Sequence, residues 1–543
     1  IIVVDPRETE SAKLATLWLQ LRPGTDAALL MSMINVIIAE GLYDKDFVEK
    51  WCYGFDRLAE RAREYHPDKV ADITWVPADK IKKAARIIGE NKPIYSANGM
   101  GTEHLQGSIQ AIQARLILVA LTGSVDVDGG MYMPGPGISS AIDWEAGNKL
   151  TEEQKLKQLG AGRFPFISWP GYKLIEENTM RLFGVPPASP VITANAHAPT
   201  MFRAILTGDP YPVKAVITNF SNPMVTSANT KLVYNALLNL DLYVVTDYWL
   251  TPSAELADYV LPVASWLERP FLVGYGSEQG LFPMNYGGEQ GLPSSIPGEY
   301  DHKTDYEIFR ELGLRLGQKQ DWPWKNLEEV YDAQLAPVGT TFKEFMDKNN
   351  GLSLTPREYL KYKEIGFATT SGKVELYSTI LEKLGYDPLP NYEEPFETPI
   401  SRPDLVEKFP FMLITGGRFR EMFHSEHRQI DPVRRKRPHP LVQINPDTAK
   451  SLGIGNGDWV WIESPRGRIR MKCQYYTGID SRVIHCEHGW WFPELPGEEP
   501  WLHGVWESNV NVLTDDDPDH CNKISGGWPL KTALCNIYKC KAY

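Results

Sequence analysis

The sequence predicts an α/β protein in which two doubly wound parallel-sheet domains precede a small C-terminal β-barrel. Short apolar runs alternate with helical patterns over the first 320 residues, and several of these runs end in glycine or polar turns. Beyond residue 400 the helices give way to short alternating strands separated by turns. The first pattern is typical of parallel sheets covered by helices, and the second is typical of barrels.

The first hundred residues alternate strand and helix. Residues 1–4 form a continuous apolar run, which predicts a strand buried on both faces. Residues 26–40 carry an apolar face at helical spacing and begin at Asp26, which we expect to cap the helix. Further helices are predicted at 44–51, 78–91 and 108–121, and a further strand at 93–97.

The next two hundred residues repeat the pattern, and the last part of the chain changes it. Apolar strands are predicted at 213–219, 242–246 and 259–262, and a long surface loop at 274–301. The barrel strands are expected at 411–415, 441–444, 459–463, 467–475 and 481–485, with one short helix at 445–452.

Length, charge and hydropathy exclude some classes of protein. A chain of 543 residues is too long for one compact core, so several domains are expected. Its net charge of −13 argues against binding nucleic acid, because a phosphate backbone favours a basic surface. No run approaches ~18 apolar residues, so we expect no direct membrane insertion. No feature assigns a compartment. The chain opens inside a strand without a start Met, so we expect a preceding segment to be missing.

The six cysteines do not form a CxxC pair, and we expect them to be free and mostly buried. The expected exceptions are Cys535 and Cys540, in the terminal strand.

Three turns share one placement, because each follows the carboxyl end of an apolar strand. They are Asp5-Pro6-Arg7, Gly99-Met100-Gly101 and Asn219 to Pro223, and Asp247 ends another strand in the same way. Ligands bind at this edge of open parallel sheets. Glycine lets backbone N–H groups approach a pyrophosphate, an arginine binds phosphate, and a buried aspartate accepts two N–H bonds from guanine. The alternative is that these residues only make turns, and the repetition favours a nucleotide.

Histidines and arginines cluster in one region of this acidic protein. The members are His424, His427, His439, Arg418, Arg420, Arg428, Arg434 and Arg435. The cluster either holds an anionic group or a metal-bound substrate, or forms an exposed basic loop. A zinc site from His424 and His427 is a weak alternative, because no further ligand pair has metal spacing, and we predict no metal ligand in this chain.

An aromatic block at residues 488–494 follows a barrel strand and either packs in the core or lines a cofactor or substrate funnel. No Ser-His-Asp order, P-loop or HExxH motif is present. The reactive element is therefore expected to be a cofactor.

Several collinear motifs resemble the molybdopterin oxidoreductases of the dimethyl-sulfoxide-reductase family. They are Val4 to Arg7, Leu21 to Leu29, Gly99 to Gly101, Thr251 to Pro262, Thr415 to Arg418 with His424 and Ser425, and Pro446 to Asp458. Within the family, residues 26–51, 256–270 and 371–390 look most like the tungsten-dependent acetylene hydratases, whereas residues 423–428 look more like the reductases.

The resemblance implies a Mo or W ion held by two pterin guanine dinucleotides. Residues 1–104 then correspond to the end of one dinucleotide-binding domain, 105–395 to the second with its insertions, and 400–543 to a barrel of the double-psi type. The residues implied for one guanosine are Asp5, Arg7, Gly24 and Asp26, beside Gly99, Met100 and Gly101. Those implied for the other are Asn219, Ser221, Asn222, Asp247 and Asp258. Those implied to touch the pterins are Thr415, Arg418, His424, Ser425, Gly489 and Asn509, with His424 and Arg418 as catalytic candidates.

Three functions remain open. The first is an oxidoreductase that transfers oxygen or sulfur atoms or removes a hydroxyl from a small molecule, with electrons passing through a [4Fe–4S] cluster on a segment absent here or on an iron–sulfur partner subunit. The second is a non-redox hydratase in which the metal activates water. The third is a cofactor-binding fragment or subunit without its own chemistry.

Overall fold

The computed structural model describes residues 1–133, 150–184, 195–275, 284–288, 301–336, 339–349, 351–354, 357–417 and 419–540. Two α/β units and a closed barrel make up this part of the chain, as predicted. The strands are β1 Ile2–Val4, β2 Leu17–Leu19, β3 Cys52–Tyr53, β4 Ala215–Asn219, β5 Leu242–Asp247, β6 Tyr259–Pro262, β7 Phe271–Tyr275, β8 Met284–Gly288, β9 Leu352–Leu354, β10 Val374–Glu375, β11 Phe411–Gly417, β12 Leu441–Ile444, β13 Trp459–Ser464, β14 Gly467–Tyr475, β15 Val483–Glu487 and β16 Ala533–Lys539.

The helices of seven residues or more lie mainly in the two α/β units. They are Asp26–Ala39, Lys45–Trp51, Phe55–Ala62, Pro67–Thr74, Ala78–Glu90, Ser108–Leu121, Trp169–Phe183, Ala198–Thr207, Thr230–Leu238, Asp305–Arg315, Leu327–Leu335 and Phe342–Asn349. Shorter helices are Glu10–Lys13, Met100–Glu103, Glu152–Leu156, Pro223–Thr226, Tyr362–Ile365, Thr379–Lys383, Pro403–Val406, Asp431–Arg434, Pro446–Ser451 and Val505–Ser508.

The first unit is built around helix Asp26–Ala39, which packs against helices Pro67–Thr74, Ala78–Glu90 and Ser108–Leu121. Its core also contains residues from 362–389, and β10 pairs in parallel with β3. The domain boundary predicted at residues 104 and 105 therefore runs through this core. The packing assigns helix Ser108–Leu121 and the 362–389 segment to the first unit, because their apolar faces are buried there.

Three local predictions in this unit are wrong. Strand β1 is not buried on both faces: it pairs on one side with β2, its other side lines a large cavity, and Val4 is 37% exposed. Residues 93–97 form no strand, and the Ile94 N–H donates to the Ser124 hydroxyl (2.9 Å) instead of a neighbouring strand. Asp26 is the first residue of its helix and not the cap, which is Thr25 without a side-chain capping bond.

The second unit contains a parallel sheet in the order β4-β5-β6. Its register places Asn219 beside Thr246 and Asp247 beside Pro262, so these strands end at one edge. The predicted loop at 274–301 is partly wrong, because β8 lies inside it and pairs with β7 and β9. Residues 276–283 and 289–300 of that loop lie outside the described residues.

The predicted barrel is confirmed, with six strands closed in the order β11-β15-β12-β14-β13-β16. Two of its strand pairs, β11 with β15 and β12 with β14, are parallel, and the others are antiparallel. Alternate side chains of β13 are buried, which matches its alternating sequence. This barrel carries β11 and β15 towards the first unit.

All six cysteines are free and five are buried, as predicted; of the two expected exceptions, Cys535 is buried and only Cys540 is partly exposed. In the part of the chain that the structure describes, no helix is long and apolar enough to cross a membrane.

A buried ion pair joins the first unit to the segment that leads into the barrel. Both oxygens of the Glu394 carboxylate accept from Arg22, at 2.6 and 2.7 Å, and the Arg22 Nε donates to the Ile73 carbonyl at 2.7 Å. Only 2% of the Arg22 side chain is exposed. Removing Arg22 leaves the Glu394 carboxylate, which is 23% exposed, without its cation.

We expect Arg22→Ala to lower the free energy of unfolding by about 3 kcal/mol or more, measured by denaturant titration. The matched control is Arg86→Ala, which breaks the Arg86–Glu40 pair (2.8 Å) on the surface, where the two side chains are 50% and 36% exposed. An exposed pair contributes about 1 kcal/mol or less. Equal losses in both variants would contradict the prediction.

Candidate functional site

A cavity of about 1150 Å³ lies between the first unit and the barrel, and we call it the main cavity. The predicted site residues that line it are Asp5, Arg7, Gly24, Asp26, Gly99, Met100, Gly101 and Thr415. Small-molecule sites usually have ~300–1,000 Å³. The main cavity is therefore large enough for a ligand of dinucleotide size.

Two carboxyl groups face this cavity, and burial raises the pKa of both. Burial, with a smaller contribution from the nearby charge of Asp5, raises the pKa of Asp26 to about 6. Burial also raises the pKa of Asp5, although the Arg7 N–H donates to its carboxylate at 2.8 Å. Two such acceptors are stabilised in the charged form by N–H donors of a ligand.

Three glycines that line the main cavity have two different structural roles. A Cβ on Gly99 or Gly101 would meet nothing within 4 Å, so their backbone is open to the cavity. Gly24 is held tightly, since it has a φ of +85° and a Cβ there would lie 2.8 Å from both Pro395 and Thr532. The first two leave room for a phosphate group, and the third fixes the turn before Asp26.

Three basic side chains border the same cavity. Arg7 donates to Gln443 of the barrel at 3.0 Å, and Arg115 donates to the Ser96 carbonyl at 2.6 Å. Lys531, which the sequence analysis missed, donates to the Thr415 carbonyl. These cations give the main cavity a positive side that suits phosphate.

The second predicted group lies elsewhere, at the carboxyl edge of the β4-β5-β6 sheet. Asn219 accepts from the Thr246 hydroxyl at 2.6 Å, and Ser221 is exposed beside it. Asn222 is 5% exposed, and its side-chain N–H₂ has no hydrogen-bond partner among the described residues. Burial raises the pKa of Asp247 to about 6. These features leave polar groups available for a second ligand.

Asp258 does not belong to this group. Its carboxylate accepts from the Tyr243 N–H at 2.7 Å, and it precedes β6, at the amino end of the sheet. Asp247 lies four residues beyond Tyr243 on β5, so it is roughly 13 Å from the place where Asp258 binds. Asp258 and Asp247 therefore lie at opposite ends of the sheet, and their joint contact with one guanosine stays a prediction.

The loop that follows β11 is tied to the barrel and is not a freely exposed turn. His424 Nδ1 lies 2.8 Å from His488 Nε2, and the His424 carbonyl accepts from Arg428 at 2.8 Å. Arg428 is 1% exposed and stacks on Trp490. A Cβ on Gly489 would lie 2.7 Å from the His424 carbonyl oxygen, so only glycine fits there. Arg418 lies outside the described residues.

The aromatic block packs in the core and does not line a funnel. Trp490 and Trp491 are 0% and 1% exposed, and the Trp491 indole donates to the Ser425 carbonyl at 2.7 Å. Ser425 is itself buried. The block thus holds the His424 loop in place from behind.

Asn509 is wrong as a pterin contact. It is 0% exposed, its side-chain N–H₂ donates to Met224 and Thr230, and its carbonyl oxygen accepts from the Asn511 N–H. All its polar atoms are used inside the protein, so it joins the second unit to the barrel. Among the described residues, no group of three His, Cys, Asp or Glu side chains is placed to hold a metal ion.

Sequence reasoning missed two residues of β15, His485 and Glu487, and singled out the adjoining His488 only as the start of the aromatic block. His485 lines the main cavity and is 6% exposed, and burial holds its pKa well below the usual value. Burial lowers the pKa of His488 to about 3. Their sequence signal was a strand that contains His and Glu at alternate positions, which was read only as a barrel strand.

Two family models match this chain. Residues 1–315 match the molybdopterin oxidoreductase model, and residues 411–533 match the molydopterin dinucleotide binding domain. The chain belongs to the molybdopterin oxidoreductase family. The second match includes the end of β11, which lines the main cavity of this family member.

Three relatives place this molybdopterin oxidoreductase more closely. Acetylene hydratase from Syntrophotalea acetylenica is 39% identical, over 99% of this chain and 73% of the relative. The solved acetylene hydratase from Pelobacter acetylenicus superposes with a TM-score of 0.91 at 37% identity, over 99% of this chain and 74% of that one. Dopamine dehydroxylase from Eggerthella lenta is 29% identical over 89% of this chain, which spans about half (53%) of that relative.

Proposed function

We propose that this protein binds Mo or W through two pterin guanine dinucleotides and converts a small molecule beside His424. The observation that carries the proposal is the main cavity, whose lining combines Asp5 and Asp26 with three basic side chains and an open glycine turn. Carboxylates suit the N–H edge of guanine, and the cations suit its diphosphate.

The residues present fit such a group. The buried Asn98 carbonyl oxygen beside the glycine turn and the buried His485 Nδ1 have no hydrogen-bond partner among the described residues. Buried polar atoms usually have partners, and a polar ligand supplies them. In this proposal Asp5, Arg7 and Asp26 hold one nucleotide, and Asn219, Asn222 and Asp247 hold the other.

When bound, the metal supplies Lewis acidity or electron transfer, and the protein supplies position and protons. The His424–His488 pair holds a proton between two imidazoles, next to Gly417 at the cavity wall. Because burial keeps His488 neutral, it shares a hydrogen bond with His424 without taking its proton, and this bond orients the His424 imidazole. In this proposal a [4Fe–4S] cluster and an electron-transfer partner are supplied by other polypeptide segments or subunits, and not by these residues.

Hydration of a small unsaturated molecule is the first candidate reaction, supported by the 39% identity to acetylene hydratase. Reductive removal of oxygen or sulfur is the second. Residues 423–428, which look more like the reductases, favour it, and so does the similarity to dopamine dehydroxylase.

The test is composition followed by two assays on the purified protein. We expect a group-six metal with about two guanine nucleotides per metal, and water addition to acetylene without an electron donor. Dye-linked reduction without hydration would favour the second candidate. Adenine nucleotides, or no group-six metal, would overturn the proposal.

A further inference from the structure

A small polar chamber of about 150 Å³ adjoins the main cavity. It is lined by Arg7, Gly417, Arg437, Gln443, Gln474, His485 and Glu487, and it shares Arg7, Gly417 and His485 with the main cavity. All but one of these residues are polar, and the volume accommodates several water molecules, since one occupies ~30 Å³ in the liquid. The end of the chamber away from the main cavity is not used by any of the proposed cofactor contacts.

Glu487 occupies that far end and is 8% exposed. Its Oε2 accepts from the Trp490 indole at 2.9 Å and from the Leu441 N–H at 3.1 Å, and Oε1 lies 3.5 Å from Arg437. Arg437 also faces Glu421 at 3.7 Å, and Arg428 contributes a second positive charge. Burial outweighs these charges and raises the pKa of Glu487 to about 7. The carboxyl group therefore gains and loses a proton near neutral pH.

His485 connects Glu487 to the main cavity. The two residues are two positions apart on β15, so their side chains point to the same face of the strand. The charged groups facing His485 are Arg7 and Lys531, and with burial they keep its imidazole neutral. A neutral imidazole has one donor and one acceptor nitrogen, so it passes a proton on without keeping it.

We propose that Glu487 stores and returns a proton for the reaction in the main cavity, exchanging it through chamber water and the His485 imidazole. This rests on the proposed function, because the reaction must move a proton. In a hydration, water loses one proton and the product gains one. The Glu487 carboxylate accepts the first through His485, and the carboxylic acid returns it, so no proton is consumed. At the substrate, His424 is the acid–base group of this proposal, and its hydrogen bond to His488 holds it in place.

Glu487→Gln tests the role, because the amide oxygen still accepts from Trp490 and Leu441 while titration is lost. We expect kcat to fall about 10²-fold, the lower end of acid–base contributions, and its acid limb near pH 7 to disappear. Metal and nucleotide content should stay unchanged. Infrared pH-difference spectra with ¹³C-labelled glutamate should lose a carboxylic C=O signal that titrates near pH 7, and the label separates it from Asp26 and Asp247.

The matched control is Glu494→Gln, which changes a half-exposed glutamate paired with Arg434. It should keep the infrared signal and the pH profile. Full turnover with an unchanged acid limb in Glu487→Gln would overturn the proton-storing role alone, and so would an infrared signal that survives the substitution. Absence of turnover in the unsubstituted protein, in both hydration and reduction assays, would overturn the proposed function and this role with it.

Discussion

Replacing His424 by Gln is expected to lower turnover by ~10²–10⁴-fold, the usual contribution of a general acid or base. Gln keeps a hydrogen-bonding side chain towards His488, which lies 2.8 Å from His424, but it carries no titratable proton. The carbonyl of residue 424 still accepts from Arg428, so the loop should keep its shape. The measurements are kcat and metal content of the purified variant.

His427→Gln is the matched control. His427 lies in the same loop with a φ of +67°, close to the +48° of His424, but it is 42% exposed and lies 3.8 Å from Glu426. We expect its turnover to change less than twofold. Full activity in His424→Gln with normal metal content would show that the loop only supports the site.

Asp26→Ala should weaken binding of guanine nucleotide by ~10–100-fold, because the ligand's buried N–H donors lose their acceptor at ~1–3 kcal/mol. The affinity of the unsubstituted protein should also depend on pH. A guanine edge binds the charged carboxylate, and burial raises the pKa of that carboxyl to about 6. Affinity is therefore full above pH 6 and falls as the pH drops below it. In Asp26→Ala this dependence should weaken.

Equilibrium binding of GDP, with ADP as the comparison, measures both effects. Asp79→Ala is the control, because Asp79 also lies in the first turn of a helix, Ala78–Glu90, but is exposed. Removing it tests the contribution of a negative charge at a helix start without changing the cavity. If Asp79→Ala weakens GDP binding as much as Asp26→Ala, Asp26 does not contact the base.

Local patterns predicted most of the elements well. Helix Ser108–Leu121 and strands β6, β12 and β14 begin and end where the pattern indicated. Their signals are periodicity and terminal residues, which act within a few positions along the chain. The errors lie where a distant segment decides the local structure. Residues 93–97 look like a strand in sequence, but no neighbouring strand pairs with them among the described residues.

The candidate site divides in the same way. Turns expected after apolar strands predicted Asp5 and the Gly99 turn, the family resemblance added Asp26, and the structure brings all three into one cavity. Asn509 and Asp258 were assigned by resemblance, and each is engaged by hydrogen bonds inside the protein. Counting along a motif does not reveal such bonds, because their partners lie elsewhere in the chain.

The sequence by itself determined the α/β class, the closing barrel and the kind of residue at each strand end, since these depend on local periodicity and turn chemistry. Only the tertiary structure decided which of these residues share a cavity. Lys531 and His485 line this cavity with Asp5 although 480 positions or more separate them from it. Burial then set the protonation of Asp26 and Glu487, because desolvation depends on surrounding atoms and not on neighbours in the chain.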